Sequence, residues 1–159
     1  RPIYRRWEWY RGAKDSPQGR WCEPYIDEGG DHTPMVTFSA PILRDGRFVG
    51  VVTADLAMDY FRDLRRRVDL LDLGSKSYCF VVSAGKRILA HALDRCEFPG
   101  PDSDLAKVPM DASFRNFVGQ WAHAPAGMTR AVDFSTGQPA TFFFSRVPAA
   151  GWTLVTVVH

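Results

Sequence analysis

The sequence predicts an α+β fold built from antiparallel sheets and flanking helices. Residues 35–54 and 78–158 contain short runs rich in β-branched and aromatic residues, separated by turns with Gly, Pro or Asp. Between these stretches, apolar residues from Leu56 to Leu71 recur every three or four positions, which is typical of an amphipathic helix. Strands that are joined by short turns pair antiparallel, so we expect helices to pack beside antiparallel sheets.

The first strands form a predicted hairpin. Residues 35–42 alternate with the period of two that a strand requires, and residues 48–54 form a second, Val-rich run. Asp45 and Gly46 lie between the two runs, and Asp-Gly is a strong signal for a tight hairpin turn. We therefore expect the two runs to pair.

A helix is predicted to follow this hairpin. Its pattern starts at Leu56 and ends near Gly74, a residue suited to a helix C-cap. The Arg-rich segment 62–67 fits the solvated face of such a helix, because acidic residues are interspersed with it. Asp55 precedes the helical pattern, at a place where Asp is a preferred N-cap.

The rest of the chain predicts a second β unit. Its expected elements are strands at 78–82 and 87–91, a loop at 94–109, a short helix at 112–121, and strands at 129–134, 140–147 and 152–158. The hairpins at 37–52 and 143–155 share a plan of long strand, Gly-containing turn and Val-rich strand. Two related units joined by one helix would explain this likeness, and so would a generic hairpin pattern.

Composition argues against several classes of function. The net charge of +2 comes from interspersed acids and bases, whereas a nucleic-acid-binding protein would need a basic patch. Three cysteines and four scattered histidines lack the spacing of a metal site, and we expect neither metal nor cofactor. No G-x-S-x-G motif is present, so an enzyme is not expected.

Membrane and targeting segments are also missing from the sequence. No run reaches the roughly 18 apolar residues that span a bilayer, and no signal peptide is visible. Because the chain opens abruptly at Arg1, we expect it to be part of a longer protein.

A ligand site is predicted in the first third of the chain, where aromatic residues with polar groups are dense. Aromatic walls with a few polar groups form small-molecule pockets, and carboxylates among them favour an ammonium group. The candidate ligand-binding residues are Trp9, Tyr10, Trp21, Tyr25, Asp27, Thr37, Ser39 and Asp55.

Structural alternatives remain open for most of these residues. Core packing would also explain Trp9 and Trp21, and a turn before Gly29 would explain Asp27. Helix capping is the alternative for Asp55. Solvent exposure would account equally well for the polar residues Thr37 and Ser39 on their strand.

Four segments occur in an order that resembles a known family. They are WYRGAK at 9–14, WCEPYID at 21–27, VTFSAPI at 36–42 and GRFVGVVTADL at 46–56. Together they resemble the membrane-distal half of double Cache sensor domains. Residues 80–91 and 151–154 resemble the membrane-proximal half, although Ala92 stands where that family often has Pro.

The resemblance implies two PAS-like units, each an antiparallel sheet with flanking helices, the first truncated at its N-terminus. The implied boundaries are residues 1–74 for the distal unit with its linking helix, and 75–159 for the proximal unit. The family lies outside the cytoplasmic membrane of bacteria, in chemoreceptors, histidine kinases, cyclic-nucleotide enzymes and phosphatases. It therefore implies a periplasmic or extracellular location, a membrane-anchored full-length protein and a homodimer. The ligand that it implies is a small amine, amino acid or organic acid, bound in the distal unit.

The resemblance also implies roles for particular residues. Tyr25, Asp27 and Asp55 match positions that the amino-acid-binding branch of the family uses. That branch has an Arg two residues before the Trp of its WY segment, where this chain has Trp7, and Arg6 is out of register. An amine without a carboxylate therefore fits better than an α-amino acid. The alternative is a ligand-free structural or dimerisation module.

Overall fold

The computed structural model of the chain describes residues 3–69 and 76–159. The chain divides into two compact units, Arg1–Ala57 and Met58–His159. The predicted α+β fold with antiparallel sheets is confirmed, since every described strand pair is antiparallel. None of the described helices is long and apolar enough to cross a membrane.

The first unit is a helix packed on a small sheet. Its elements, after a short 3-10 turn at Ile3–Arg6, are α1 (Glu8–Asp15), β1 (Arg20–Trp21), β2 (Tyr25–Ile26), β3 (Pro34–Arg44) and β4 (Arg47–Ala57). Strand β3 is central, because β1, β2 and β4 all pair with it. Helix α1 contacts β3 and β4, and it buries Ala13 completely.

The predicted hairpin between β3 and β4 is confirmed. Asp45 and Gly46 have φ values of 51° and 72°, the left-handed conformation that a two-residue type I′ turn requires at both positions. Close to this turn the register shifts, because Ile42 pairs with Gly50 while Leu43 pairs with Phe48. Val49 is thereby the extra residue of a β-bulge.

The helix capping role considered for Asp55 is wrong. Strand β4 continues through Asp55 to Ala57, and Asp55 pairs with Thr37 of β3. The helix begins only at Met58, so Asp55 is not adjacent to its first turn. The apolar residues Leu56 and Ala57 fit either a strand or a helix, and pairing with β3 decides between them. The predicted helix end near Gly74 lies outside the described residues.

The second unit is a five-stranded sheet with two helices, one of which contacts its first two strands and the other its third. Its elements are α2 (Met58–Asp69), β5 (Tyr78–Val82), β6 (Ile88–Ala90), α3 (Ala112–Gln120), β7 (Ala126–Val132), β8 (Pro139–Val147) and β9 (Trp152–Val158). The strand order is β6-β5-β9-β8-β7. Phe114 and Phe117 of α3 pack on Phe142 of β8 in the core.

Several element boundaries differ from the sequence-based expectation, and the strand expected to begin at Thr129 begins at Ala126. The strand expected at 129–134 ends at Val132, because the Asp133 carboxylate accepts a hydrogen bond from the Ser135 amide and turns the chain. Helix α2 was expected to belong to the first unit, but it contacts β5 and β6 within the second. The domain boundary at residues 74 and 75 stays a prediction, since it falls outside the described residues.

Candidate ligand-binding site

The hairpin presents a row of side chains on one face. Met35 and Thr37 of β3 lie opposite Ala57 and Asp55 of β4, so strand alternation places Thr37, Thr53 and Asp55 on the same face. This face borders a cavity of about 140 Å³, here called the Asp cavity. Its lining residues are Trp7, Trp9, Tyr25, Asp27, Met35, Thr37, Thr53 and Asp55.

A hydrogen-bond relay orients the carboxylate of Asp55. The Thr37 hydroxyl donates to Asp55 Oδ1 at 2.7 Å, and the Tyr25 hydroxyl lies 2.8 Å from the same Thr37 oxygen. Because a threonine hydroxyl has one hydrogen, Tyr25 must be the donor to Thr37. Within the described part of the chain, Asp55 Oδ2 accepts no hydrogen bond, so it is available to a ligand.

The phenol of Tyr25 keeps its proton in this setting. Burial is the main cause that raises its pKa above the ordinary value, and the nearby carboxylates of Asp55 and Asp27 act in the same direction. A protonated phenol can donate to Thr37, as the relay requires because Thr37 uses its only hydrogen on Asp55.

Asp27 combines a turn role with a place in the cavity. Its Oδ1 accepts a hydrogen bond of 3.1 Å from the Gly29 amide, which confirms the turn interpretation. The following loop packs tightly against Trp7, because a Cβ atom on Gly29 would lie 3.1 Å from Trp7 Cη2. Trp7 in turn meets the ring of Trp9 edge-on, with ring centroids 6.0 Å apart.

A second cavity of about 270 Å³, here called the Glu cavity, adjoins the first. The two cavities share Trp7, Trp9 and Tyr25. The remaining lining residues of the Glu cavity are Glu8, Glu23, Pro24, Ile26 and Glu28. Among the described residues, no Lys, Arg or His lines either cavity. Both cavities are therefore acidic and have aromatic walls.

Three of the predicted site residues lie outside both linings. Trp21 packs against Phe38 with ring centroids 5.4 Å apart, and Tyr10 meets the ring of Phe48. Ser39 is only 1% exposed, and its hydroxyl has no hydrogen-bond partner among the residues described. The other five predicted residues, Trp9, Tyr25, Asp27, Thr37 and Asp55, lie together around the Asp cavity.

The structure adds lining residues that the sequence reasoning did not select. Thr53 could have been found, because it precedes Asp55 by two positions and strand alternation places both on one face. Trp7, which departs from the family pattern, lines both cavities. Trp9 and Tyr10 lie in the first turn of α1.

No group of three or more His, Cys, Asp or Glu residues in the described ranges is arranged to hold a metal ion. All three cysteines are buried free thiols. Burial raises the pKa of the Cys22 thiol to about 11, so this thiol stays neutral.

Residues 3–63 match the family model described as "Methyl-accepting chemotaxis protein-like, first PDC sensor domain". Two curated relatives are chemoreceptors. The methyl-accepting chemotaxis protein PctB of Pseudomonas aeruginosa is 33% identical over 87 residues, which is 55% of this chain and 13% of PctB. PscA of Pseudomonas syringae pv. tomato is 25% identical over 155 residues, 95% of this chain and 22% of PscA.

Solved structures show the same fold over nearly the whole chain. The extracellular domain of mmHK1S-Z3 matches with a TM-score of 0.82 at 23% identity, covering 98% of this chain and 54% of that one. The ligand-binding domain of PctB from P. aeruginosa PAO1, solved with L-Arg, matches with a TM-score of 0.67 at 26% identity. That match covers 97% of this chain and 59% of the PctB domain.

These matches confirm the predicted resemblance to double Cache sensor domains and the PAS-like α+β fold. They agree with the predicted class, an extracytoplasmic sensor domain, because the two curated relatives are chemoreceptors and the matched structures are extracellular or ligand-binding domains. The chain spans only part of its curated relatives, since the matches cover 13% of PctB and 22% of PscA.

Proposed function

We propose that the first unit senses a small ligand that carries an ammonium group, bound in the Asp cavity. The observation that carries this proposal is the Asp55 carboxylate, which the relay from Tyr25 and Thr37 orients beside aromatic walls. The chain would act as the sensing part of a membrane receptor.

The chemistry of the Asp cavity favours a cation. Asp55 Oδ2 and the carboxylate of Asp27 can accept charge-assisted hydrogen bonds from an ammonium group. The rings of Trp7 and Trp9 add cation–π attraction, worth about 0.5–2 kcal/mol for a cation over an aromatic face. A carboxylate in the same place would meet two like charges, because no basic side chain of the described residues lines the cavity.

The relatives support an ammonium-bearing ligand. The PctB domain is described as that of an amino acid chemoreceptor and was solved with L-Arg, whose α-amino group is such an ammonium. In this chain Trp7 lines the cavity and no basic side chain of the described residues does. A ligand of this chain would therefore have an amine in common with L-Arg, but no carboxylate.

A ligand can drive signalling only if it binds one conformation of the receptor more tightly than another. Asp55 lies on β4 three positions before Met58, where α2 begins. Ligand contact with Asp55 would therefore act on a strand that continues directly into the helix of the second unit.

The alternative function is a ligand-free structural or dimerisation module. Such a module would fill its cavities with its own side chains. Trp9 and Tyr25 instead line open cavities of about 140 and 270 Å³, which favours ligand binding. Homodimerisation itself stays a prediction.

The test is a screen of primary amines, quaternary amines and amino acids by thermal shift, followed by calorimetric titration. A ligand at about one hundred times its Kd should stabilise the protein by about 2.7 kcal/mol. We expect Asp55→Asn to weaken binding roughly tenfold or more, since it removes the charge but keeps the side-chain shape.

Asp45→Asn is the matched control, because Asp45 lies in the turn of the same hairpin and is exposed. The proposal fails if no amine stabilises the protein. It also fails if Asp55→Asn and Asp45→Asn bind the ligand equally well.

A further inference from the structure

Cys22 lies opposite Thr37, the central residue of the relay. In the register of β1 on β3, Trp21 faces Phe38, so the next residue along each strand brings Cys22 to Thr37. The Cys22 amide donates to the Thr37 carbonyl at 2.9 Å, as this register requires.

The return hydrogen bond between these two residues has an unusual acceptor. In a regular antiparallel pair the Thr37 amide would donate to the Cys22 carbonyl. It donates instead to the Cys22 thiol, with 3.3 Å between the nitrogen and Sγ. Both residues are buried, so the thiol satisfies an amide that water does not reach. The amide and the thiol of Cys22 thus hold the backbone of Thr37 at two points.

A β-bulge beside Cys22 accounts for the change of acceptor. Cys22 faces Thr37 and Tyr25 faces Met35. Between Cys22 and Tyr25 the chain has two residues, whereas the facing stretch of β3 has only one. Such an extra residue interrupts the ladder locally, and the thiol takes the place of the missing carbonyl acceptor. After the bulge, the Tyr25 hydroxyl reaches the Thr37 hydroxyl at 2.8 Å.

We infer that Cys22 is a positioning residue of the Asp cavity: its thiol holds the backbone of Thr37, and Thr37 in turn orients the Asp55 carboxylate. This inference rests on the proposed function, because the ligand concerned is the amine that Asp55 binds. Cys22 lines neither cavity, so it acts through Thr37 and not by contact with the ligand.

The chemistry of the thiol suits this role. Because burial raises the pKa of Cys22 to about 11, the sulfur accepts the amide without placing a charge beside the relay. Sulfur is a weak acceptor, but a buried amide with no acceptor at all is unfavourable. Removing the sulfur should therefore shift Thr37 away from the position that orients Asp55.

Three substitutions of Cys22 distinguish an acceptor from a side chain that only fills space. Cys22→Ser keeps an acceptor, Cys22→Val fills the space without one, and Cys22→Ala does neither. Affinity is measured by calorimetric titration with butylamine and with the amine that stabilises the wild-type protein most. NMR measures the hydrogen-exchange rate of the Thr37 amide and the coupling constants that report its side-chain rotamer.

We expect the Ser variant to rescue what the other two variants lose. Cys22→Ser should bind amines within about twofold of the wild type, whereas Cys22→Val and Cys22→Ala should bind roughly two- to tenfold more weakly, the range that one hydrogen bond supplies. In these two variants the Thr37 amide should exchange faster and its rotamer should become averaged. Cys79→Ala is the matched control, because it removes a buried thiol from β5 of the second unit. It should change none of these quantities.

Each failure points to one proposal. If Cys22→Val binds amines like the wild type and Cys22→Ser binds as weakly as Cys22→Ala, the side chain only fills space. The inference is then overturned while the proposed function stands. Wild-type affinity in all three variants, or an equal loss in Cys79→Ala, overturns it as well. If no amine binds the wild-type protein, the proposed function fails, and the exchange rate and rotamer of Thr37 still decide whether the Cys22 thiol positions that residue.

Discussion

Thr37 donates a 2.7 Å hydrogen bond to Asp55 across the paired strands β3 and β4. Thr37 is only 1% exposed, whereas Asp55 is exposed, so a buried hydroxyl fixes the position of a surface carboxylate. Tyr25 extends the relay, because its hydroxyl donates to Thr37. The orientation of the Asp55 carboxylate thus depends on Thr37, a buried residue that a ligand need not touch.

Replacing Thr37 with Val should weaken both stability and binding. Val keeps the shape of Thr but removes the hydroxyl, so Tyr25 loses its acceptor and Asp55 loses its donor. We expect a loss of about 1–2 kcal/mol in the free energy of unfolding, measured by urea denaturation, together with weaker amine binding. Thr53→Val is the control, since Thr53 is exposed on the same face and should change stability by about 0.5 kcal/mol or less. Equal losses in the free energy of unfolding for the two variants would show that the relay does not stabilise the fold.

His91 should make the second unit sensitive to mild acid. This side chain is 2% exposed, and burial lowers its pKa from 6.5 to about 4. In the unfolded chain His91 takes up a proton near its ordinary pKa, whereas the folded chain resists it. The contribution of His91 to the free energy of unfolding is therefore fully present above about pH 6.5. It decreases by roughly 3 kcal/mol as the pH falls to about 4.

His91→Asn should flatten this pH profile, measured by urea denaturation at a series of pH values. The Asn side chain can still accept the hydrogen bond that the Leu93 amide donates to His91 Nδ1. The exposed residue His123 provides the control, and His123→Asn should leave the slope unchanged. Burial alone would raise the pKa of Asp133, but hydrogen bonds, including those from Ser135 and Thr136, lower it below its ordinary value. The contribution of Asp133 to the pH dependence of stability therefore falls below about pH 4. An unchanged slope in His91→Asn would refute this origin of the pH dependence.

Arg62 should contribute more to stability than its neighbour Arg66 on the same helix. Arg62 donates to the carboxylate of Glu97, which is 2% exposed and also accepts from the His91 amide. Removing Arg62 leaves a buried carboxylate without its cation. Because Arg62 is itself 38% exposed, we expect Arg62→Met to cost about 1–3 kcal/mol, less than a fully buried pair.

Arg66→Met tests the specificity of that effect by thermal and urea unfolding. Arg66 pairs with Asp63 at 2.9 Å, and both side chains are about two-thirds exposed. Such a pair contributes about 0.5 kcal/mol or less. If Arg66→Met destabilises the protein as much as Arg62→Met, the burial of Glu97 is not the cause.

The sequence predicted the fold best where the local residues are compatible with only one structure. Asp45 and Gly46 predict a tight turn, and the turn is present with both residues in the left-handed conformation. The strands at 78–82 and 152–158 have the predicted bounds. Their β-branched and aromatic residues leave little choice of structure.

The sequence was ambiguous where local patterns fit two structures. Asp55 followed by Leu56 and Ala57 suits a helix start, but pairing with β3 extends the strand to Ala57. Such pairing is a long-range contact that local propensity does not encode. The candidate site likewise has one part that the sequence could predict and one part that it could not. Strand alternation could place Thr53 beside Asp55, whereas the Glu cavity forms only when α1 and β2 come together, and Glu28 offers no local sign of this.

The bulge at Val49 has a bearing on how the hairpin tip can vary. In a regular hairpin, adding or removing one residue reverses the face of every following side chain. Here the turn and the extra residue lie at one end, and the cavity residues Thr37, Thr53 and Asp55 lie toward the other. A bulge can take up a change of one residue locally, so the tip should tolerate insertions and deletions that the strand ends near Asp55 would not. Related chains could then differ in length around residue 45 and still present the same acidic group to their ligands.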